Sequence, residues 1–300
     1  MSGWATGSQT SLREANRASI LEAVKRYGGL TQVELVGSTG LSAATVSTIV
    51  KELTTAGLVE VRPTSRSGRR AQLVTATRRV GLAAGIQVGY RHLRVALGDF
   101  GSEVVADQTL PLPNEHRIDT TLDRAALLVV DMLERVGATL DELVGVAIAV
   151  PAPVDVSTGL ISVRGVMRGW DDEQIAHVMS KRLGKPVYVD NDANLGALAE
   201  ATLGAGREFA DVLFVRASQG IGAGIIIGGR LHRGFAGTAG EIGHVQVDPQ
   251  GAICRCGSRG CLDTVVGAEA LLAPLAASHG ALTLRDVMNR ALAGDPGCTR

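Results

Sequence analysis

The sequence predicts an α/β protein in which an N-terminal winged helix-turn-helix precedes a larger, two-lobed α/β body. Three observations carry that reading. Near the N-terminus, three short helical patterns broken by glycines run into a basic hairpin. After Arg79 the pattern changes to strands rich in Val, Ile, Ala and Gly that alternate with amphipathic helices. The 300-residue chain has no net charge, yet nine basic side chains stand against five acidic ones up to Thr75, so a cationic module is joined to an acidic body. This length suits more than one core, and 45% hydrophobic with 20% charged residues is globular composition. Aromatics make up only 3%, so the cores are built from aliphatic side chains. No apolar run approaches ~18 residues and no signal pattern opens the chain. The expectation is a cytoplasmic protein with no membrane partner.

In the first module, Ile20, Leu21 and Val24 mark one helix and Val33, Leu35 and Val36 a short second. Val46, Ile49, Val50 and Leu53 mark a third at i, i+3, i+4, i+7 spacing. Gly40 ends the second helix and Ser42 is placed to cap the third. On that reading Ser42, Thr45, Ser47 and Lys51 face the major groove of DNA from a recognition helix. Any small three-helix bundle gives the same apolar pattern. The stretch "LVEVRPTSRSGRRAQLVTA" alternates like a hairpin and reads as a wing, with Arg66, Arg69 and Arg70 at its tip for phosphate or minor-groove contact. A solvated surface loop is the plainer alternative.

In the body, "VGLAAGIQVG", "HLRVALGDF" and "EVVADQTL" are successive strands, "TTLDRAALLVVDMLERVG" an amphipathic helix and "LVGVAIAVPAPVD" a buried strand. In "KPVYVDNDANLGALAEATLG" a strand ends in Asp190, Asn191, Asp192 and Asn194 before an Ala-rich helix. Open α/β sheets place ligand groups at such a carboxyl end. Further on, "SQGIGAG" joins two strands by a turn whose amides can cradle an anion. Finally, "ICRCGSRGCLD" holds three of the four cysteines, with His244 just upstream. From spacing alone, a metal site and three reduced thiols are equally good readings.

From about Asn16 to Thr264 these motifs, in this order, resemble the ROK family in its transcriptional-regulator branch, the xylose-repressor type. The matching segments are "NDAN" at 191–194, "GIGAG" at 220–224, "GTAGEIGH" at 237–244 and "CRCGSRGCLD" at 254–263. The resemblance implies an actin-like (ribonuclease H-like), two-lobed sugar-kinase fold behind the winged helix. It divides the chain into a DNA-binding head, residues 1–78, and a body, residues 79–300, with lobes at 79–194 and 195–300. It implies zinc on His244, Cys254, Cys256 and Cys261, and sugar contacts from Asn191, Asp192, Glu241 and His244. Asp263 stands where the family usually has Glu, one methylene shorter. Cys298 has no partner motif.

In kinases of the family the residue matching Asp192 is the general base, and a D-x-G-x-T loop handles phosphate. Here that stretch is "GIQVGYRH": Gln87 replaces the acid, and Arg91 or His92 follows where a hydroxyl belongs. The expectation is a sugar-responsive repressor, homodimeric on operator DNA, with a sugar kinase carrying an appended head as the rival. The second lobe, ending at "AGDPGCTR", reads as short beside the family pattern. The segment "VRGVMRGW" leaves xylose, glucose and amino sugars open as effectors.

Overall fold

A computed structural model describes residues 9–66, 69–77, 81–113 and 115–299. The head comprises α1 (Gln9–Tyr27), β1 (Leu30–Thr31), α2 (Gln32–Thr39), α3 (Ala43–Thr55), β2 (Val59–Arg66) and β3 (Arg69–Ala76). The wing pairs antiparallel from Val59↔Ala76 to Arg66↔Arg69, and β1 adds to β3. Ile20, Val24, Leu35, Val46, Ile49, Val50 and Leu53 close one core with Val59 and Val74. Each such side chain contributes about 1.5–3 kcal/mol relative to leaving it exposed. Gly40 ends α2 in the left-handed region (φ 69°), and its amide donates to Val36 O at 3.0 Å. The Ser42 hydroxyl accepts from the Thr45 amide at 3.1 Å and so starts α3.

One expectation fails in the head. Val33, read as part of an apolar stripe, is 81% exposed. Thr31 caps α2 and exchanges bonds with Glu34 in a capping box, which starts the helix at Gln32 and turns Val33 outward.

The first lobe is a five-stranded sheet in the order β10-β7-β4-β5-β6. Its elements are β4 (Leu82–Val88), β5 (His92–Asp99), β6 (Val104–Pro111), α4 (Ile118–Arg135), β7 (Leu143–Val150), the ribbon β8 (Val154–Asp155) with β9 (Leu160–Ile161), α5 (Ile175–Leu183) and β10 (Val187–Asn191). Strands β4, β7 and β10 are parallel, whereas β5 and β6 run antiparallel. Period-two burial puts Leu82, Ala84, Ile86 and Val88 of β4 in one core with Leu122, Val129 and Met132 of α4. Because the three parallel strands end on the same edge, their carboxyl ends bring Tyr90, Pro151 and Asn191 together.

The second lobe begins with α6 (Asp192–Thr202), which packs on the sheet of β11 (Val212–Ala217), β12 (Ile221–Ile227) and β13 (Arg230–His232). On that sheet Leu213, Val215 and Ile227 stay exposed. A loop through residues 245–262 follows, then α7 (Asp263–Val266), α8 (Ala268–Leu272), α9 (Ala276–His279), α10 (Leu284–Leu292) and α11 (Pro296–Thr299). Among the described residues no single helix is long and apolar enough to cross a membrane. A cavity of about 1000 Å³ between the head and the β5–β6 turn is lined by none of the motif residues.

Candidate functional site

A cleft of about 470 Å³ opens at the carboxyl edge of the parallel strands, with walls from both lobes. Its floor is the start of α6. The Asn191 side-chain oxygen accepts from the Ala193 and Asn194 amides at 2.8 and 3.2 Å. That oxygen is committed to capping the helix, so Asn191 offers a ligand its NH₂ group. Beneath it, buried Asp190 accepts from Asn194 Nδ2 at 3.0 Å and from Arg233 Nε at 2.8 Å, which ties the β13 end of the second lobe to β10.

Asp192 lies in the first turn of α6 with a side chain 7% exposed. Arg216 Nη1, from β11, stands 2.9 Å from its Oδ2, but that oxygen has no aligned hydrogen bond. Burial raises the Asp192 pKa against the opposing pull of Arg216. Glu241 on the same wall is also raised by burial, partly offset by Arg255. A covered carboxylate with an unsatisfied oxygen is a ready acceptor for a polyol hydroxyl.

The turn carrying Glu241 and His244 lies flush on β12 because of glycine. At Gly240 (φ 87°) an added Cβ would stand 1.8 Å from Ala223 O, so no other residue fits without moving the backbone. This approach aims His244 both ways. Its Nε2 is 3.7 Å from Glu241 Oε2 and its Nδ1 3.5 Å from Cys254 Sγ. The ligand atoms of His244, Cys254, Cys256 and Cys261 all lie within 4.8 Å of one another, with no disulfide among these cysteines. Burial and two neighbouring sulfurs push the Cys261 thiol up to about 11, whereas the Ser258 amide lowers that of Cys256. Three thiolates this close repel one another, and a cation would relieve the conflict. The donor set therefore fits a metal, and its residues would order the loop that leads into the cleft wall.

Asp263 does not line the cleft. Its Oδ1 accepts from the Ile221 amide at 3.0 Å and its Oδ2 lies 3.5 Å from Arg255. One amide of the "SQGIGAG" turn thus already holds an anion, a carboxylate of the chain itself. The cleft also contains side chains that the sequence reading missed: Tyr90, Arg164, Arg168, Arg216 and Arg255. Tyr90 donates to Pro151 O at 3.3 Å, and Arg255 donates to the Tyr90 hydroxyl at 3.0 Å with its guanidinium 5.4 Å from the ring centroid. Tyr90 stands three residues after Gln87, in the stretch already marked as departing from a phosphate loop; that departure was the available signal.

In the head, Ser47 and Lys51 lie one turn apart on the exposed side of α3. Ser42 and Thr45 share a 2.8 Å hydroxyl contact and serve the helix start. Glu52, the acid of this helix, is paired with Arg13 and with Arg17. The wing residues Arg66, Arg69 and Arg70 occupy the hairpin end by backbone pairing. Their side chains, like the boundary at 78/79, lie outside the described residues.

A winged helix-turn-helix joined to an actin-like sugar-kinase fold, with a polar interlobe cleft, defines the class of protein. The chain belongs to the ROK family, whose pattern matches residues 83–300; residues 14–70 match the MarR family of DNA-binding domains. It is 29% identical over 295 residues to the xylose repressor of Bacillus subtilis (strain 168), covering 96% of this chain and 75% of that protein. It is 31% identical over 271 residues to the DNA-binding transcriptional dual regulator NagC of Escherichia coli (strain K12), covering 88% of this chain and 65% of that one. A solved ROK family transcriptional regulator, a homolog of E. coli MLC protein, superposes with a TM-score of 0.72 at 26% identity over 96% of this chain and 76% of that one. A ROK family glucokinase from Streptomyces griseus, solved with glucose and AMPPNP, gives 0.64 at 28% identity over 73% of each chain.

Proposed function

We propose that this protein is a sugar-responsive, DNA-binding transcriptional repressor of carbohydrate-utilisation genes. The observation that carries the reading is one chain joining a helix-turn-helix head to a sugar-kinase fold whose phosphate-loop acid is replaced by Gln87. Beside it, Tyr90 is capped by Arg255, which puts a phenol and a guanidinium where a kinase needs room for nucleotide phosphates and their metal. Residues 1–78 form the DNA-binding part and residues 79–300 the sensor, working as a homodimer in the cytoplasm, where operator DNA is. Ser47, Lys51 and the wing arginines Arg66, Arg69 and Arg70 contact DNA, with Ser42 and Thr45 setting the helix start against it. Asn191, Asp192, Glu241 and His244 hold the sugar, and Asp263 positions the glycine turn and Arg255.

Zinc is the metal proposed at His244, Cys254, Cys256 and Cys261. Soft thiolates with one imidazole suit it, and a four-ligand set leaves no open position, so its contribution is structural. Mobility-shift titrations against the chain's own upstream region, with and without a sugar panel, test the function. A specific shift that weakens with one sugar is expected; no specific shift under any condition rejects it.

A kinase reading retains one supporting observation, the carboxylate of Asp192 at the cleft floor. Coupled ADP release at saturating sugar decides between the two, because a kinase loses turnover in Asp192→Asn and a sensor shows none to lose.

A further inference from the structure

A neutral sugar needs convergent donors and acceptors but no excess of charge, and the cleft has an excess. Four arginines line it, Arg164 and Arg168 from the first lobe and Arg216 and Arg255 from the second, against the carboxylates of Asp192 and Glu241. The two pairs of arginines are held differently. Arg216 is covered with Asp192, and Arg255 is anchored to Tyr90 and to Asp263, itself 12% exposed. The rim residues Arg164 and Arg168 pair instead with Asp172 and Glu115 at 2.5 and 3.4 Å, and all four of those side chains are more than 60% exposed. Solvent-exposed pairs of this kind are weak. A ligand anion that takes both N–H groups of a guanidinium can replace such a partner.

Resting on the sugar-sensor reading above, we infer that the cleft takes a monosaccharide bearing an anionic group, either a phosphate or a carboxylate. The charged end lies at the Arg164 and Arg168 rim and the hydroxyls reach toward Asn191 and Glu241. The lobes carry like charges on facing walls, so closing them on a neutral ligand brings guanidinium groups together, whereas an anion between them offsets that repulsion. The anion therefore binds the closed arrangement preferentially, which is the differential affinity an effector needs in order to shift a conformational equilibrium.

Calorimetry on the full chain with matched ligands tests this: glucose, glucose 6-phosphate, glucuronate, xylose and inorganic phosphate alone. One charged sugar is expected to bind at least roughly tenfold tighter than its neutral counterpart, with an advantage that shrinks as salt rises from about 50 to 500 mM. Whether the phosphate or the carboxylate form wins identifies the anion. In Arg164→Gln/Arg168→Gln the ratio of charged to neutral affinity collapses toward one. Arg164→Lys/Arg168→Lys, which keeps the charge and loses the fork, retains part of it and reports that the rim still folds. Neutral sugars binding as tightly as charged ones overturn the inference alone and leave the sensor reading standing. Inorganic phosphate binding as tightly as the sugar phosphate also overturns it, because the rim is then a simple anion site. If no carbohydrate binds, the sensor reading falls and the inference with it.

Discussion

A sensor must carry an event at the cleft to the head, and one helix spans that distance. The α6 helix starts at Asn191 and Asp192 on the cleft floor and runs eleven residues, about 16 Å at 1.5 Å per residue. The turn that follows is locked to it, since the Ala205 amide donates to Glu200 Oε2 at 2.9 Å and the Gly206 amide to Glu200 O at 3.0 Å. From this turn Arg207 reaches the head. Arg26 Nη2, at the end of α1, donates to Arg207 O at 2.7 Å, Arg207 Nη1 donates back to Arg26 O at 3.4 Å, and Glu208 lies 3.8 Å from Arg26. A short bond from a charged donor is worth about 1.5–3 kcal/mol when covered and roughly half that at this exposed position. The longer bond and the exposed ion pair add about 0–1 kcal/mol. The contact thus transmits at most about 1–2 kcal/mol, a factor of roughly 5–30. Replacing both side chains (Arg26→Met/Arg207→Met) is expected to shrink the sugar-induced change in operator affinity by about fivefold or more. Sugar affinity without DNA should stay within about twofold. Fluorescence anisotropy on operator DNA with and without effector measures the first quantity and calorimetry the second. By linkage, the effect of operator on sugar affinity must shrink by the same factor. An unchanged operator-affinity ratio in the double variant would show that coupling does not pass through α6 and this contact.

Three further outcomes follow from the site and the head. Burial raises the folded-state pKa of Asp192, so its contribution to stability is present below the ordinary carboxylate range near 3.9 and is lost as pH rises through the raised value. Urea midpoints for Asp192→Asn should therefore vary less than wild type between about pH 4 and 7, and a parallel pH dependence would contradict that placement. Replacing Cys261 with Ser should abolish stoichiometric metal in elemental analysis and lower Tm by at least about 4 °C, as a loss near 2 kcal/mol does in a chain of this size; retained metal would remove this residue from the donor set. Lys51→Gln should weaken operator binding similarly on all sequences and reduce the salt slope by about one if Lys51 meets phosphate, whereas a sequence-selective loss would put it on a base edge.

What the sequence could and could not reveal follows from how far apart the interacting residues lie along the chain. The recognition helix was legible because Val46, Ile49, Val50 and Leu53 repeat at a helical period and all four are buried. The donor cluster was legible because a family motif spaces His244 and the three cysteines, and the fold brings their ligand atoms together. Val33 was misread although Thr31 and Glu34 already spelled a capping box around it. The cleft arginines carried no local mark. Arg216 sits on a strand whose alternation gives the face of a side chain but not its partner across the lobes. Arg255 meets Tyr90 165 positions away. Asp263 was placed by its motif, yet the Ile221 amide and Arg255 claim its two oxygens, a competition that spacing cannot express. These long-range contacts gather where the chain departs from phosphate-loop chemistry, around Gln87 and Tyr90. Once the acid is gone, a tyrosine and an arginine can occupy the space near it without disabling a reaction, and their cross-lobe contact becomes available to report how far the cleft has closed.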